Sequence, residues 1–149
     1  MRTRKLILVV LGAVVVVSVL AATTGVFSTA SKPKAEPLPD ALVVYCFHPA
    51  ELCSSCEKIE KYTREVLDKS FAAPMKQGRL VWRVANYEAP QNAHFADEYQ
   101  IVSTCIVLAD GRAGRAGKWK NLQQEAWAQV DNKKAFQDFV RGEIQAALK

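Results

Sequence analysis

Apolar and polar positions alternate in blocks along the chain, and the blocks predict a mixed α/β domain that starts at Ala41. The run ALVVYCF is apolar and rich in β-branched and aromatic residues, which indicates a buried strand. In the next segment, SSCEKIEKYTREVLDKSF, apolar residues recur every three or four positions and charged residues lie between them. This spacing predicts an amphipathic helix directly after the first strand.

The remaining pattern predicts two more core strands, an edge strand and further helices. After a turn at Gln77 and Gly78, RLVWRVANY fits a strand, and APQNAHFADEYQ fits a short helix. TCIVLAD predicts a third strand, GRAGRAG a loop, and KWKNL a fourth strand at the edge. Helical spacing resumes at Leu122, with a break near Asp131. The predicted order over residues 41–149 is β-α-β-α-β-β-α.

The N-terminal segment has a different pattern, which predicts a membrane anchor over residues 1–31. No charged residue occurs from residue 6 to residue 31, and Arg2, Arg4 and Lys5 precede this run. Its length fits a spanning helix, although a signal peptide cleaved after Ala21 or Ala30 is the alternative. Residues 32–40 contain three prolines and predict a linker. Because basic residues favour the cytoplasm, we expect a single-pass protein of the bacterial inner membrane, with its domain facing the periplasm or the cell exterior.

Charge and motif content exclude several classes of function. The net charge is +5, but the three basic residues before the anchor leave only +2 for the rest of the chain. No basic stripe therefore predicts binding to nucleic acid. The loop GRAGRAG lacks the spacing of a phosphate-binding loop, and no Ser-His-Asp or H-E-x-x-H arrangement occurs. We expect no cofactor.

Cys53 and Cys56 form a C-x-x-C motif where the first helix is predicted to begin. At that position the sulfur of Cys53 meets unpaired backbone N–H groups and the positive end of the helix dipole, which favour the thiolate and should lower its pKa. Cys56 lies one turn further on and is more enclosed, so it suits the attack on a mixed disulfide held by Cys53. The motif predicts thiol–disulfide exchange with protein thiols or disulfides.

The order of strands and helices around this motif resembles the thioredoxin fold, and the resemblance covers residue 41 to the C-terminus. The segments VVYCFHPAELCSSCEKIEKYTREVL, GRLVWRVANYEAPQNAHFADEYQIV and KWKNL more narrowly resemble the nitrophenyl compound nitroreductase subunit ArsF family. The chain differs from thioredoxin in having Leu52 before the first cysteine, Ser54 and Ser55 between the cysteines, and no acidic residue in the strand where a buried proton acceptor would lie.

The resemblance also assigns positions to the other two cysteines. Cys105 stands where thioredoxins carry a cis-proline beside the active site, and we expect the Thr104–Cys105 bond to be trans because a cis bond without proline is costly. The first strand should run antiparallel beside the third, which would bring Cys46 near Cys105. All four cysteines are thus predicted to gather at one edge of the sheet.

Three hypotheses follow for the cysteines. The first is a redox pair at Cys53 and Cys56, with Cys46 and Cys105 either packed as small apolar residues or bonded to each other. The second is a copper or iron–sulfur carrier or electron-transfer subunit that uses all four thiols, with His48 as a further metal ligand. The third is a structural cysteine pair in a binding module.

The remaining candidates receive structural assignments. His48 is either solvated or tunes the thiolate or binds metal, and His94 is expected to be a solvated surface residue. Trp82, Trp119 and Trp127 are assigned to packing, with a partner groove as the alternative role of Trp119 or Trp127.

Overall fold

The computed structural model describes residues 37–149. The predicted anchor and the first five residues of the predicted linker lie outside the described residues. Within residues 37–149, no helix is both long enough and apolar enough to cross a membrane.

Four strands and five helices make up the described part of the chain. The strands are β1 (Leu42–His48), β2 (Leu80–Asn86), β3 (Cys105–Asp110) and β4 (Lys118–Asn121). The helices are α1 (Ser54–Ser70), α2 (Ala72–Lys76), α3 (His94–Glu98), α4 (Gln123–Gln129) and α5 (Lys133–Leu148). All strands and helices predicted for residues 41–149 are present, and the break near Asp131 separates α4 from α5. Only α2, a five-residue helix that contains Pro74, was not predicted.

The strands form one sheet in the order β2-β1-β3-β4. β1 is parallel to β2, and β3 is antiparallel to both β1 and β4. A parallel β-α-β unit followed by an antiparallel hairpin in this order is a thioredoxin-like fold, which confirms the predicted fold class and the predicted neighbourhood of the first and third strands.

β1 is central and its side chains divide between two hydrophobic clusters, one on each face of the sheet. Leu42, Val44 and Cys46 pack with the apolar faces of α1 and α5. The alternate residues of β1 pack with an aromatic group that includes Tyr99 and Phe95. Strands with both faces covered are apolar throughout, so the unbroken run ALVVYCF follows from this position.

The amphipathic pattern of α1 explains how the helix is held on the sheet. Ile59, Val66 and Leu67 are at most 1% exposed, and α1 packs against α5 as well as the sheet. On the outer side Arg64 pairs with Asp68 at 3.0 Å. The helix therefore begins at the C-x-x-C motif and lies in a fixed position over β1.

An ion-pair network lies at the end of the sheet opposite to the C-x-x-C motif. Asp110 ends β3 and is nearly buried, and Arg112 contacts its carboxylate with two nitrogens, at 2.8 and 2.6 Å. Arg115 lies 3.5 Å from the same carboxylate. Arg112 also donates to the carbonyl oxygens of Ala147 and Leu148 in the last turn of α5. The loop between β3 and β4 is thereby tied to the C-terminal helix.

Candidate active site

Cys53 and Cys56 are joined by a disulfide at the N-terminus of α1, with their Cα atoms 5.0 Å apart. Cys53 is the N-cap residue, and its sulfur accepts a hydrogen bond from the backbone N–H of Cys56 at 3.1 Å. This N–H belongs to the first turn of α1, and the N–H groups of a first turn have no hydrogen-bond partner within the helix. The predicted contact between the sulfur and the helix N-terminus is therefore present.

The two sulfur-bearing residues differ in exposure. Cys53 is exposed, whereas Cys56 is 5% exposed and faces the interior. A substrate sulfur can reach Cys53 without any rearrangement of the fold. The enclosed partner can be reached only by a group already attached to Cys53, which matches the two different roles predicted for the pair.

The loop that carries Cys53 is fixed at its base. The backbone N–H of Ala50 donates to the Glu88 carboxylate at 2.8 Å, and the N–H of Tyr87 donates to the carbonyl of His48 at 3.1 Å. The ring of His48 donates from Nδ1 to the carbonyl of Pro49 at 2.7 Å. His48 thus holds its own loop through this hydrogen bond.

Cys46 and Cys105 lie on adjacent strands but on opposite faces of the sheet. Cys46 pairs with Ile106, while Cys105 pairs with Phe47. Successive residues of a strand point to opposite faces, so this offset of one residue separates the two thiols by the thickness of the sheet. Both are free thiols with 0% exposure. Both residues lie at the end of the sheet from which the chain continues to Cys53, as predicted, but the thiols face opposite sides, so the four cysteines do not form one group. The alternative of a Cys46–Cys105 disulfide is wrong.

The buried thiols are held in their protonated forms. Burial, and secondarily the negative charge of Glu60, raise the pKa of Cys46. Burial raises the pKa of Cys105 to about 12. The Thr104–Cys105 peptide bond is trans, as predicted. Both residues act in the described structure as small apolar packing residues, which was the first of the two roles predicted for them beside a redox pair.

The geometry of the described residues does not assemble the hypothetical metal site. Within residues 37–149, no group of three or more His, Cys, Asp or Glu side chains is placed to hold a metal ion. Cys53 and Cys56 bond to each other, Cys46 and Cys105 face opposite sides, and His48 contacts Pro49. The second hypothesis, a site made of these five residues, is therefore not supported.

The segment from Tyr99 to Thr104, which leads into β3, is held by side-chain contacts that the sequence did not predict. Gln123 accepts hydrogen bonds from the backbone N–H groups of Val102 and Ser103, each at 3.3 Å. Trp127 donates from its indole nitrogen to the carbonyl of Thr104 at 2.8 Å. These contacts join positions about 20 residues apart, so no local pattern marks them.

The other two tryptophans occupy packing positions, as predicted. Trp82 is partly buried against the cluster under α1 and α5. Trp119 is 39% exposed and meets the ring of Tyr99 edge-on, with ring centroids 5.7 Å apart.

His94 differs from its predicted role as a solvated residue. Both of its ring nitrogens are buried, and neither has a hydrogen-bond partner within residues 37–149. The ring lies against Phe95, with centroids 4.0 Å apart. The prediction was wrong because it treated α3 as a surface helix, whereas Phe95 belongs to the aromatic cluster that covers the sheet.

Two exposed apolar side chains lie on the two chain segments that meet at the edge of the sheet near the disulfide. Leu52, directly before Cys53, is 46% exposed, and Val102 is 80% exposed. Val102 precedes the start of β3, and β3 starts beside the end of β1, from which the chain continues to Cys53. This edge of the sheet therefore combines an accessible sulfur with exposed apolar surface.

Two thioredoxins of known structure are similar to this chain at low sequence identity. No protein-family model matches the chain, and no curated protein matches it either. Among solved structures, a chloroplastic thioredoxin z is 17% identical with a TM-score of 0.37, and the match covers 62% of this chain and 80% of that one. A thioredoxin from Thermus thermophilus is 16% identical with a TM-score of 0.35, and the match covers 61% and 72% respectively. The strand order and directions, rather than these distant similarities, identify the fold.

Proposed function

We propose that this protein is a thiol–disulfide oxidoreductase that acts on protein thiols and disulfides through Cys53 and Cys56. The observation that carries the proposal is a disulfide at the N-terminus of α1 between one exposed and one buried cysteine. The hydrogen bond from the Cys56 N–H to the Cys53 sulfur supports the thiolate form of Cys53 once the disulfide is reduced.

The exchange needs only the two cysteines and a substrate disulfide. In the reductive direction, the Cys53 thiolate attacks one substrate sulfur, forms a mixed disulfide and releases the other sulfur as a thiolate. Cys56 then loses its proton and attacks the Cys53 sulfur. The Cys53–Cys56 disulfide forms, the second substrate sulfur leaves, and the two thiolates take up protons. Two electrons pass from the protein to the substrate.

The location of the protein is part of the proposal. The uncharged run in residues 6–31 supports a single-pass inner-membrane protein whose domain faces the periplasm or cell exterior. Disulfide chemistry is common in such oxidising compartments. The narrower resemblance to the ArsF family stays a prediction.

Cell fractionation tests this location. The chain is expected in the membrane fraction after alkaline washing, and added protease should digest the domain in spheroplasts without lysis. Recovery of a soluble product that begins after Ala21 or Ala30 would instead show a cleaved signal.

An activity assay tests the proposed chemistry. The full-length chain in detergent is expected to accelerate the reduction of insulin disulfides by dithiothreitol, measured as the rate of precipitation of the insulin B chain. Metal content is measured on the same anaerobic preparation. Absence of any acceleration, or stoichiometric metal bound to the cysteines, would overturn the proposal.

A further inference from the structure

The chain segment that leads into β3 has no regular secondary structure, yet most of its backbone is fixed by side chains from one region. Asn121 donates from Nδ2 to the carbonyls of Tyr99 and Gln100, at 2.9 and 3.4 Å. Gln123 and Trp127 then hold the next part of the segment, up to the carbonyl of Thr104. The segment is thus held at five backbone groups.

These contacts come from three residues that lie close together in the sequence, at the end of β4 and in α4. The Oδ1 of Asn121 accepts the backbone N–H of Gln123 at 2.9 Å, at the start of α4. Gln123 and Trp127 are four residues apart on α4 and therefore lie on the same side of the helix. We call Asn121, Gln123 and Trp127 the α4 clamp.

The clamp determines which backbone groups and side chains of this segment remain available to bind a substrate. The N–H groups of Val102 and Ser103 and the carbonyl of Thr104 are already bonded within the chain. Pairing of a substrate backbone with the two N–H groups would require breaking internal hydrogen bonds, whereas the Thr104 carbonyl keeps a second lone pair. The side chain of Val102, 80% exposed, remains available at a fixed position.

We propose that Gln123 and Trp127 are positioning residues that hold Val102 as an apolar recognition element for polypeptide disulfides with apolar side chains beside the cysteine. Leu52, next to Cys53 and 46% exposed, supplies the second apolar contact. The inference rests on the proposed oxidoreductase function and adds a substrate preference to it. Fixing the segment in advance reduces the ordering cost when a substrate binds.

The test compares a polypeptide disulfide with a small disulfide in the full-length chain. Gln123→Ala and Trp127→Phe are expected to raise the KM for insulin about fivefold to tenfold, since each removes one or two hydrogen bonds that hold the segment. Neither variant should change kcat, or the rate with 5,5′-dithiobis(2-nitrobenzoic acid), by more than about twofold, because a small disulfide needs only the Cys53 sulfur. Val102→Asp should raise the KM for insulin in the same way.

Two matched variants and one structural measurement serve as controls. Gln124→Ala changes the exposed neighbour of Gln123, and Trp82→Phe changes a tryptophan packed on another strand. Both are expected to keep the wild-type KM. Amide hydrogen exchange should accelerate at Ser103 in Gln123→Ala but not in Gln124→Ala.

The outcomes separate this inference from the proposed function. Equal losses with insulin and the small disulfide would indicate a general structural defect and overturn the inference. An unchanged insulin KM despite faster exchange at Ser103 would also overturn it, while the proposed function would stand. If the wild-type chain reduced neither substrate, the proposed function would fail. Equal binding of insulin to wild type and Val102→Asp would then overturn the inference as well.

Discussion

Replacing Cys53 with serine is expected to abolish insulin reduction, while replacing Cys56 with serine should trap the chain on its substrate. Cys53 is the exposed cysteine of the pair at the N-terminus of α1, and a hydroxyl at this position is a far weaker nucleophile. In Cys56→Ser the first attack still occurs, but the enclosed thiol that would break the mixed disulfide is missing. The two variants should therefore fail at different steps.

Mass spectrometry under non-reducing conditions distinguishes the two failures. Cys56→Ser incubated with oxidised insulin is expected to gain the mass of an insulin chain, and dithiothreitol should release it. Cys53→Ser should form little adduct, since the sulfur of Cys56 is enclosed. Comparable adducts in both variants, or turnover at the wild-type rate by either, would contradict the assignment.

The buried thiols provide matched controls on the same chain. At pH 7.5 a thiol with the pKa of Cys105, about 12, is ionised in fewer than about one molecule in ten thousand. Cys46 is even more strongly shifted in the same direction by burial and by Glu60. Cys46→Ala and Cys105→Ala should lose some stability through the cavity each leaves, but they should keep insulin reduction. Loss of activity in a folded variant would show a role for the corresponding thiol in the exchange.

The spacing of apolar residues predicted most of this fold, because this spacing depends on how many sides of each strand or helix are covered. The apolar run of β1 follows from its central position, and the spacing in α1 follows from its single packed side. The C-x-x-C motif was recognisable because its chemistry depends on local helix geometry. α2 was missed because it is one turn long and contains Pro74, which the pattern treats as a helix end.

The cysteine arrangement could not be predicted because it depends on register. A shift of one residue in the pairing of β1 with β3 would place Cys46 and Cys105 on the same face, and the sequence of two fully buried strands does not distinguish these registers. The contacts of Gln123 and Trp127 could not be predicted from the sequence for a related reason. They depend on the pairing of β4 with β3 and on the position of α4, which the local sequence pattern does not specify.

Replacing Arg112 with methionine is expected to lower the free energy of unfolding by about 2 to 3 kcal/mol at pH 7, because it leaves the carboxylate of Asp110 nearly buried without its main partner. Asp110 then keeps Arg115 at 3.5 Å and the hydrogen bond from the backbone N–H of residue 112 at 3.1 Å. The loss includes the hydrogen bonds from Arg112 to the last turn of α5. Chemical denaturation of both proteins measures the difference.

The pH dependence identifies the ionic part of this loss. The hydrogen bond from Arg112 is the main cause that lowers the pKa of Asp110 below its usual value, and burial opposes it. A lowered folded-state pKa contributes stability that is complete above the unfolded-state value of about 3.9 and is lost as the pH falls through the folded-state pKa. The difference between wild type and Arg112→Met should therefore be constant from about pH 5 to pH 7 and shrink toward pH 2.

An exposed pair of the same residue types supplies the control. Arg64 contacts Asp68 through its Nε at 3.0 and 3.1 Å, but both side chains are more than half exposed. Solvent screens such a pair, so Arg64→Met should cost no more than about 0.5 kcal/mol. The contrast between the two substitutions reports the burial of Asp110 together with the carbonyl contacts of Arg112, and the pH dependence separates these two parts. Equal costs for the two substitutions would show that the burial of Asp110 adds nothing to the strength of its pair. A cost at Arg112 that persists unchanged at pH 2 would show that the buried carboxylate is not what Arg112 stabilises and that its carbonyl contacts to α5 account for the whole effect.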